Sequence, residues 1–203
     1  MFKIEHERKF VVNRNFLADL YDNAIDIKVV QSGYIDIDED KLSQIRITLN
    51  STDQKARINI KGTLHGFSRD EFQFKIKYDE ASELMSNISS VVLKKRLKIP
   101  YEDKATGLNY IWDVDVFLGK NYPLVLAEIE LDDPRELQDV PIPYWVTREV
   151  TDDPAFYNVN LAKSRREEKK SEMLCNSCIQ KDNKEEGMNS DAVIEKATIQ
   201  EES

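Results

Sequence analysis

Two carboxylates, Glu5 and Glu7, and an ammonium group, Lys9, stand two residues apart. That spacing puts them on one face of a β-strand, because successive side chains of a strand point to opposite sides. The same alternation recurs along the chain, and its charges sort by sign. Asp113 with Asp115, and Glu128 with Glu130, form further acidic rows; Arg46, then Arg57 with Lys61, then Lys94 with Arg96 and Lys98, form basic ones. Neighbouring carboxylates repel one another unless a cation sits between them, and hard oxygens suit Mg2+ or Mn2+. Arginine and lysine grip phosphate oxygens. Segregated charge of this kind is what a metal and polyanion site requires.

The elements that carry these rows have an apolar face as well. Ile45, Ile47 and Leu49 oppose Arg46; Ile58 and Ile60 oppose Arg57 and Lys61; Leu93, Leu97 and Ile99 oppose Lys94 and Arg96; Trp112, Val114 and Val116 oppose the two aspartates. Period-two patterning predicts strands over 2–12, 28–38, 42–50, 54–62, 70–78, 92–101, 109–117 and 123–132. Helices are expected at 13–23, with an asparagine cap, at 79–90, and briefly after Pro134. The fold class is therefore mainly β with flanking helices. Two architectures fit: a sandwich with its polar face in water, or a closed barrel whose charges point inward and whose apolar exterior is partly covered by helices. Segregation by sign favours the barrel.

Length and composition bound the rest. The 203 residues suffice for one domain with a core, and 40% hydrophobic with 33% charged residues exclude both a wholly disordered chain and a membrane span. MFKIEHERKF contains no apolar leader, so a cytoplasmic protein is expected. A net charge of -9 argues against long nucleic acid as partner. Every aromatic residue falls between Phe2 and Tyr157, which predicts a folded domain over 1–162 and a charged, largely disordered tail over 163–203. Cys175 and Cys178 lie in that tail without the further ligands a zinc site needs, and two histidines, His6 and His65, do not make a metal site. There is no Walker lysine loop, no G-x-S-x-G and no Rossmann glycine run. The oligomeric state is left open.

Glu5-His6-Glu7-Arg8-Lys9, followed by Phe10-Val11-Val12, resembles the E-x-E-x-K signature of the CYTH family, the triphosphate tunnel metalloenzymes. Gly33-Tyr34-Ile35 is similar to that family's Q-G-Y-L strand, Arg46 to part of its R-x-R, Ile60-Lys61-Gly62 to I-K-G, and Arg69, Glu71 and Phe72 to R-x-E-Y-E. Lys94-Lys95-Arg96 resembles K-T-R; DVDVF at 113–117 and LAEIEL at 126–131 resemble the acidic strands; WVTREVTDD at 145–153 and NVNLA at 158–162 resemble the closing segments.

The resemblance implies an eight-stranded antiparallel closed barrel forming a polar tunnel, which hydrolyses the terminal phosphate of inorganic tripolyphosphate with Mg2+ or Mn2+. By motif position it implies Glu5, Glu7, Asp115, Glu128 and Glu130 as metal ligands, with Glu71 a further one, and Arg46, Lys61, Lys94, Arg96 and Arg148 as phosphate clamps. Lys9 and Tyr34 would serve the catalytic step. The chain departs from the pattern at Gln44, Gln73 and Ala155, each of which removes a charge. The alternatives are accordingly a thiamine triphosphatase, a class IV-type adenylate cyclase, or a catalytically weakened module that only binds polyphosphate.

Overall fold

A computed structural model of the chain describes residues 2–35, 44–62 and 68–163. The expected tail beyond Lys163, with Cys175 and Cys178, and the loop holding His65 lie outside the described residues. Among the described residues nine strands form: β1 (Phe2–Val12), β2 (Asp26–Ile35), β3 (Gln44–Asn50), β4 (Lys55–Lys61), β5 (Ser68–Ile76), β6 (Val91–Glu102), β7 (Asn109–Phe117), β8 (Val125–Glu130) and β9 (Val146–Glu149). Four short α-helices join them: α1 (Leu17–Asp22), α2 (Tyr78–Ser86), α3 (Pro134–Asp139) and α4 (Asn158–Lys163).

Antiparallel pairings run β5-β4-β3-β2-β6-β7-β8-β1, and a further pairing of β1 with β5 returns the circuit to its start. β1 achieves this by dividing its length. Phe2 to His6 pair with β5, Glu7 to Val11 pair with β8, and Phe10 to Val12 also hold β9. An eight-stranded circuit has no free edge to aggregate. Closure also explains the length of β1, which must span two neighbours in succession.

Glu7 and Lys9 of β1, and the charged rows of the other strands, face inward; the apolar rows face out. One outer cluster gathers Phe10, Leu97, Trp112, Val114, Ala127 and Ile129 with Leu20 of α1, Leu137 of α3 and Trp145. Within it the Trp112 ring meets Phe10 and Trp145 edge-on, at 5.5 and 5.6 Å. A second cluster, Ile47, Leu49 and Ala56, lies under Ala81 and Met85 of α2. Arg8, on the outer side of β1, clasps Glu149 with two bonds of 2.9 and 2.7 Å and donates to the Leu137 and Gln138 carbonyls, which ties β9 and α3 to the barrel.

α4 packs against β2 and β6. Its last carbonyls accept from Lys120 Nζ and Asn121 Nδ2, a cation at a helix C-terminus. At this end of the barrel the inward residues are the buried Val92 and Phe117, so the interior is filled. Along β6 and β7 the inward residues then become Lys94, Arg96 and Lys98, and Asp115, Asp113 and Ile111. Ile111 is 43% exposed, which marks the opposite end as the mouth.

Patterning did not predict β9 or α4, which have four and six residues, too few to show a period. Gly33 in β2 is required by packing. A Cβ there would lie 2.5 Å from Met85 Sδ and 3.1 Å from Ile88 Cδ1, so only glycine lets α2 settle on the barrel. Gly33→Ala is expected to destabilise the protein by roughly 1–3 kcal/mol, read as a lower urea midpoint at unchanged m-value. An unchanged midpoint would show that α2 does not bear on the barrel.

Candidate active site

A cavity of about 290 Å3 lies inside the barrel. Its walls carry four cations, Arg46, Lys61, Arg96 and Lys98, and four carboxylates, Glu7, Asp113, Glu128 and Glu130. Asn158 and Ile111 complete the lining, and among the described residues Ile111 is its sole apolar side chain.

The wall formed by β6, β7 and β8 is tightly bonded. Asp115 is fully buried and accepts from Arg96 Nε at 2.7 Å and Nη2 at 2.6 Å, while Lys94 Nζ closes on its other side. Arg96 also reaches Glu128 at 2.6 Å and Asp113 at 3.0 Å. Burial disfavours the Arg96 charge, but Asp115, Glu128 and Asp113 together outweigh it and hold the guanidinium protonated. For Lys94 the balance goes the other way: burial, reinforced by Arg96, lowers its proton affinity despite Asp115. The Lys94 ammonium also stands 5.6 Å over the Phe117 ring.

β1 contributes across the β1–β8 ladder, where Glu7 faces Glu130 and Lys9 faces Glu128. Lys9 Nζ is 3.1 Å from Glu128 and 3.9 Å from Glu7. Burial would raise the Glu128 carboxyl, but Lys9, Arg96 and Lys94 hold it well below the usual range. Glu5 is placed by its backbone opposite Arg69. The side chains of Glu5, Arg69 and Gln44 lie outside the described residues.

The opposite wall is looser. Glu71 is buried, accepts from Asn59 at 2.9 Å and Gln73 at 2.7 Å, and stands 3.7 Å from both Lys61 and Arg46. Its burial is again outweighed, by Lys61 first, and its carboxyl is lowered. Tyr34 is buried beside Arg46, with Lys9 and Glu128 within electrostatic range, and burial raises its phenol, which therefore stays protonated at neutral pH. Among the described residues two buried polar atoms of the lining, Arg46 Nε and Asn158 Oδ1, have no hydrogen-bond partner. Such orphans mark places where a ligand completes the bonding.

Several expected residues are thus brought together: Glu7, Lys9, Glu128 and Glu130 on one side, Tyr34, Arg46, Lys61 and Glu71 on the other, with Arg96 beside them. Asp115 and Lys94 are not in the cavity lining; they lie behind Arg96 and brace it. Arg148 is placed elsewhere: it is exposed on β9, with its guanidinium 5.3 Å from the Phe156 ring. Although β9 pairs it with Val11 of β1, it is not among the residues that line the cavity. Lys98, Asp113 and Asn158 were not singled out in advance, although the same alternation had placed Lys98 and Asp113 on the charged face. Among the described residues no three acidic, histidine or cysteine side chains converge on one point as a preformed metal cage.

No family model matches the sequence. Over 162 residues the chain is 36% identical to an inorganic triphosphatase of Acetivibrio thermocellus, covering 79% of this chain and 94% of the relative. The chain belongs to the CYTH, or triphosphate tunnel, family. An inorganic triphosphatase of Nitrosomonas europaea is 27% identical over 160 residues, covering 79% of this chain and 97% of the relative. A crystal structure of an inorganic triphosphatase superposes with a TM-score of 0.53 at 22% identity over 79% of this chain and 95% of its own. A candidate adenylate cyclase of Bacillus halodurans gives 0.52 at 16%, over 68% and 86%. Both share the tunnel fold expected from the sequence.

Two outcomes follow from the inner wall. Asp115→Ala strands the buried Lys94 and Arg96 charges and is expected to cost about 3–5 kcal/mol in denaturant unfolding; a loss under about 1 kcal/mol would contradict the bracing role. Glu71 and Glu128 hold protons less readily folded than unfolded, so unfolding takes protons up. Their stabilisation is therefore complete above the unfolded value of about 4.3 and is lost as pH falls through the lower folded values. The Tm of metal-free protein should be level from about pH 7 to 5 and drop below it. A Tm that rises on acidification would contradict this.

Proposed function

We propose that the chain is a divalent-metal-dependent triphosphatase whose main substrate is inorganic tripolyphosphate. The observation that carries this reading is the cavity itself: small, lined by cations and carboxylates, with a single apolar side chain. At about 290 Å3 it sits at the lower limit of small-molecule clefts, roughly 300 Å3. Among the described residues its lining includes no aromatic platform for a base, and a bare phosphate chain suits such a lining better than a nucleotide.

The donor set fits a hard divalent cation. Glu7 directly opposes Glu130 in the ladder, and like charges so placed repel. With Glu128, and with Glu5 two residues before Glu7 on β1, these oxygens would hold Mg2+ or Mn2+. When bound, such an ion neutralises phosphate oxygens and polarises the bond to be broken. The chain's own residues supply the positioning. Arg96, fixed by Asp115 and Glu128, presents an immobile positive edge to one side of the phosphate chain. Arg46 and Lys61, held at 3.7 Å by Glu71, reach from the other. Lys9 stands where it can pair with phosphate or steady the attacking water, and protonated Tyr34 donates a hydrogen bond beside it.

Phosphate release from tripolyphosphate in Mg2+ and Mn2+ tests this, with nucleoside and thiamine triphosphates in parallel. Glu7→Gln, Glu130→Gln and Arg46→Ala should each lower kcat/KM at least about 100-fold, and chelation should abolish release. Faster release from an organic triphosphate would move the assignment to that substrate. Tight binding without release would leave a binding module.

A further inference from the structure

Arg57 lies on β4 in the inward row, two residues from Asn59 and four from Lys61, and its cross-strand neighbours are Thr48 and Lys75. Among the described residues it has no hydrogen-bonding or ion-pairing partner, and neither has Lys75. Its electrostatic neighbours come from around the tunnel: Arg46, Glu71, Arg96 and Glu130. Although the side chain reaches solvent, partial desolvation, and after it Arg46, work against its positive charge. Every other inward arginine described here, Arg46 and Arg96, is paired with a carboxylate. Two cations directly opposite each other in a ladder repel, and an anion between them removes the cost.

Position decides which anion. Gln44, where the family pattern has arginine, pairs in register with Lys61. Arg57 sits four residues along β4 from that level, toward the open mouth and away from α4. Relative to the pattern, a cation is missing near the filled end and one is present near the mouth. Among the described residues Val92 and Phe117 fill the α4 end, so an organic group on a substrate is expected to project through the mouth. The phosphate nearest the mouth is then a terminal phosphate with two titratable oxygens in inorganic tripolyphosphate, and a singly charged ester in a nucleoside triphosphate.

We propose that Arg57 is a specificity-determining residue that binds the mouth-side phosphate and favours an unesterified one. This rests on the triphosphatase reading above and deepens it. Arg57→Gln should raise KM for tripolyphosphate about tenfold and KM for ATP no more than about twofold, with kcat changed less than about twofold. Arg57→Lys should recover most of the loss, and Tm should not move, since the side chain is exposed. Equal changes in the two KM values, or none, would overturn the proposal. Calorimetric binding of tripolyphosphate without metal separates it from the activity. If the wild type binds but does not hydrolyse, the triphosphatase reading fails, and a Kd raised about tenfold by Arg57→Gln still supports Arg57 while an unchanged Kd overturns it. A wild type that binds no tripolyphosphate overturns both.

Discussion

Everything inside this barrel depends on a charge that cannot be left alone. Asp115 has no exposure to solvent, and a buried carboxylate is tolerable only if its oxygens are fully bonded. Lys94 and Arg96 supply those bonds, and the arrangement fixes Arg96 by three carboxylates at once. A guanidinium held from behind in this way is already oriented toward the cavity and needs no reorganisation when an anion arrives. The β6–β7–β8 wall is thereby stiff, and the β3–β4–β5 wall, where ion pairs are 3.7 Å long, is the side with donors to spare.

A polar interior moves the hydrophobic driving force outside. Eight strands enclose a space that side chains would ordinarily fill; here it holds charge, and apolar burial occurs between the outer surface and the helices. That is why Trp112, Val114 and Ala127 are completely buried although they face away from the barrel axis. The short helices are consequently structural requirements: each covers part of a strand face that water would otherwise wet. Arg8 belongs to the same logic, since its clasp on Glu149 and on two carbonyls of α3 fastens the cover to the wall.

Much of this was legible in the sequence because one signal, alternation, carries both halves of the design. Reading odd residues of β1 or even residues of β6 separated cavity from cover before any contact was known. What alternation does not carry is depth along the strand. Asp115 and Asp113 read alike, yet one is locked behind Arg96 and the other lines the cavity. Arg148 matched a motif, but on the four-residue β9 it stands exposed beside Phe156 and outside the cavity lining. Asn158 was invisible for a different reason, since its place depends on where α4 meets β2 and β6.

The departures from the family pattern bear on which side of the tunnel holds metal. A glutamate at position 73 would stand beside Glu71 as a second carboxylate, and such a pair calls for a cation between its members. Gln73 instead donates to Glu71 at 2.7 Å, and Asn59 donates from the other side at 2.9 Å. Glu71 is thus satisfied by neutral amides and by its own lysine and arginine. Across the β1–β8 ladder, Glu7 stands directly opposite Glu130. Gln73 therefore leaves Glu71 to hold Arg46 and Lys61 in place, so that on the proposed reading the phosphate clamps of this wall face the carboxylates of β1 and β8 across the cavity.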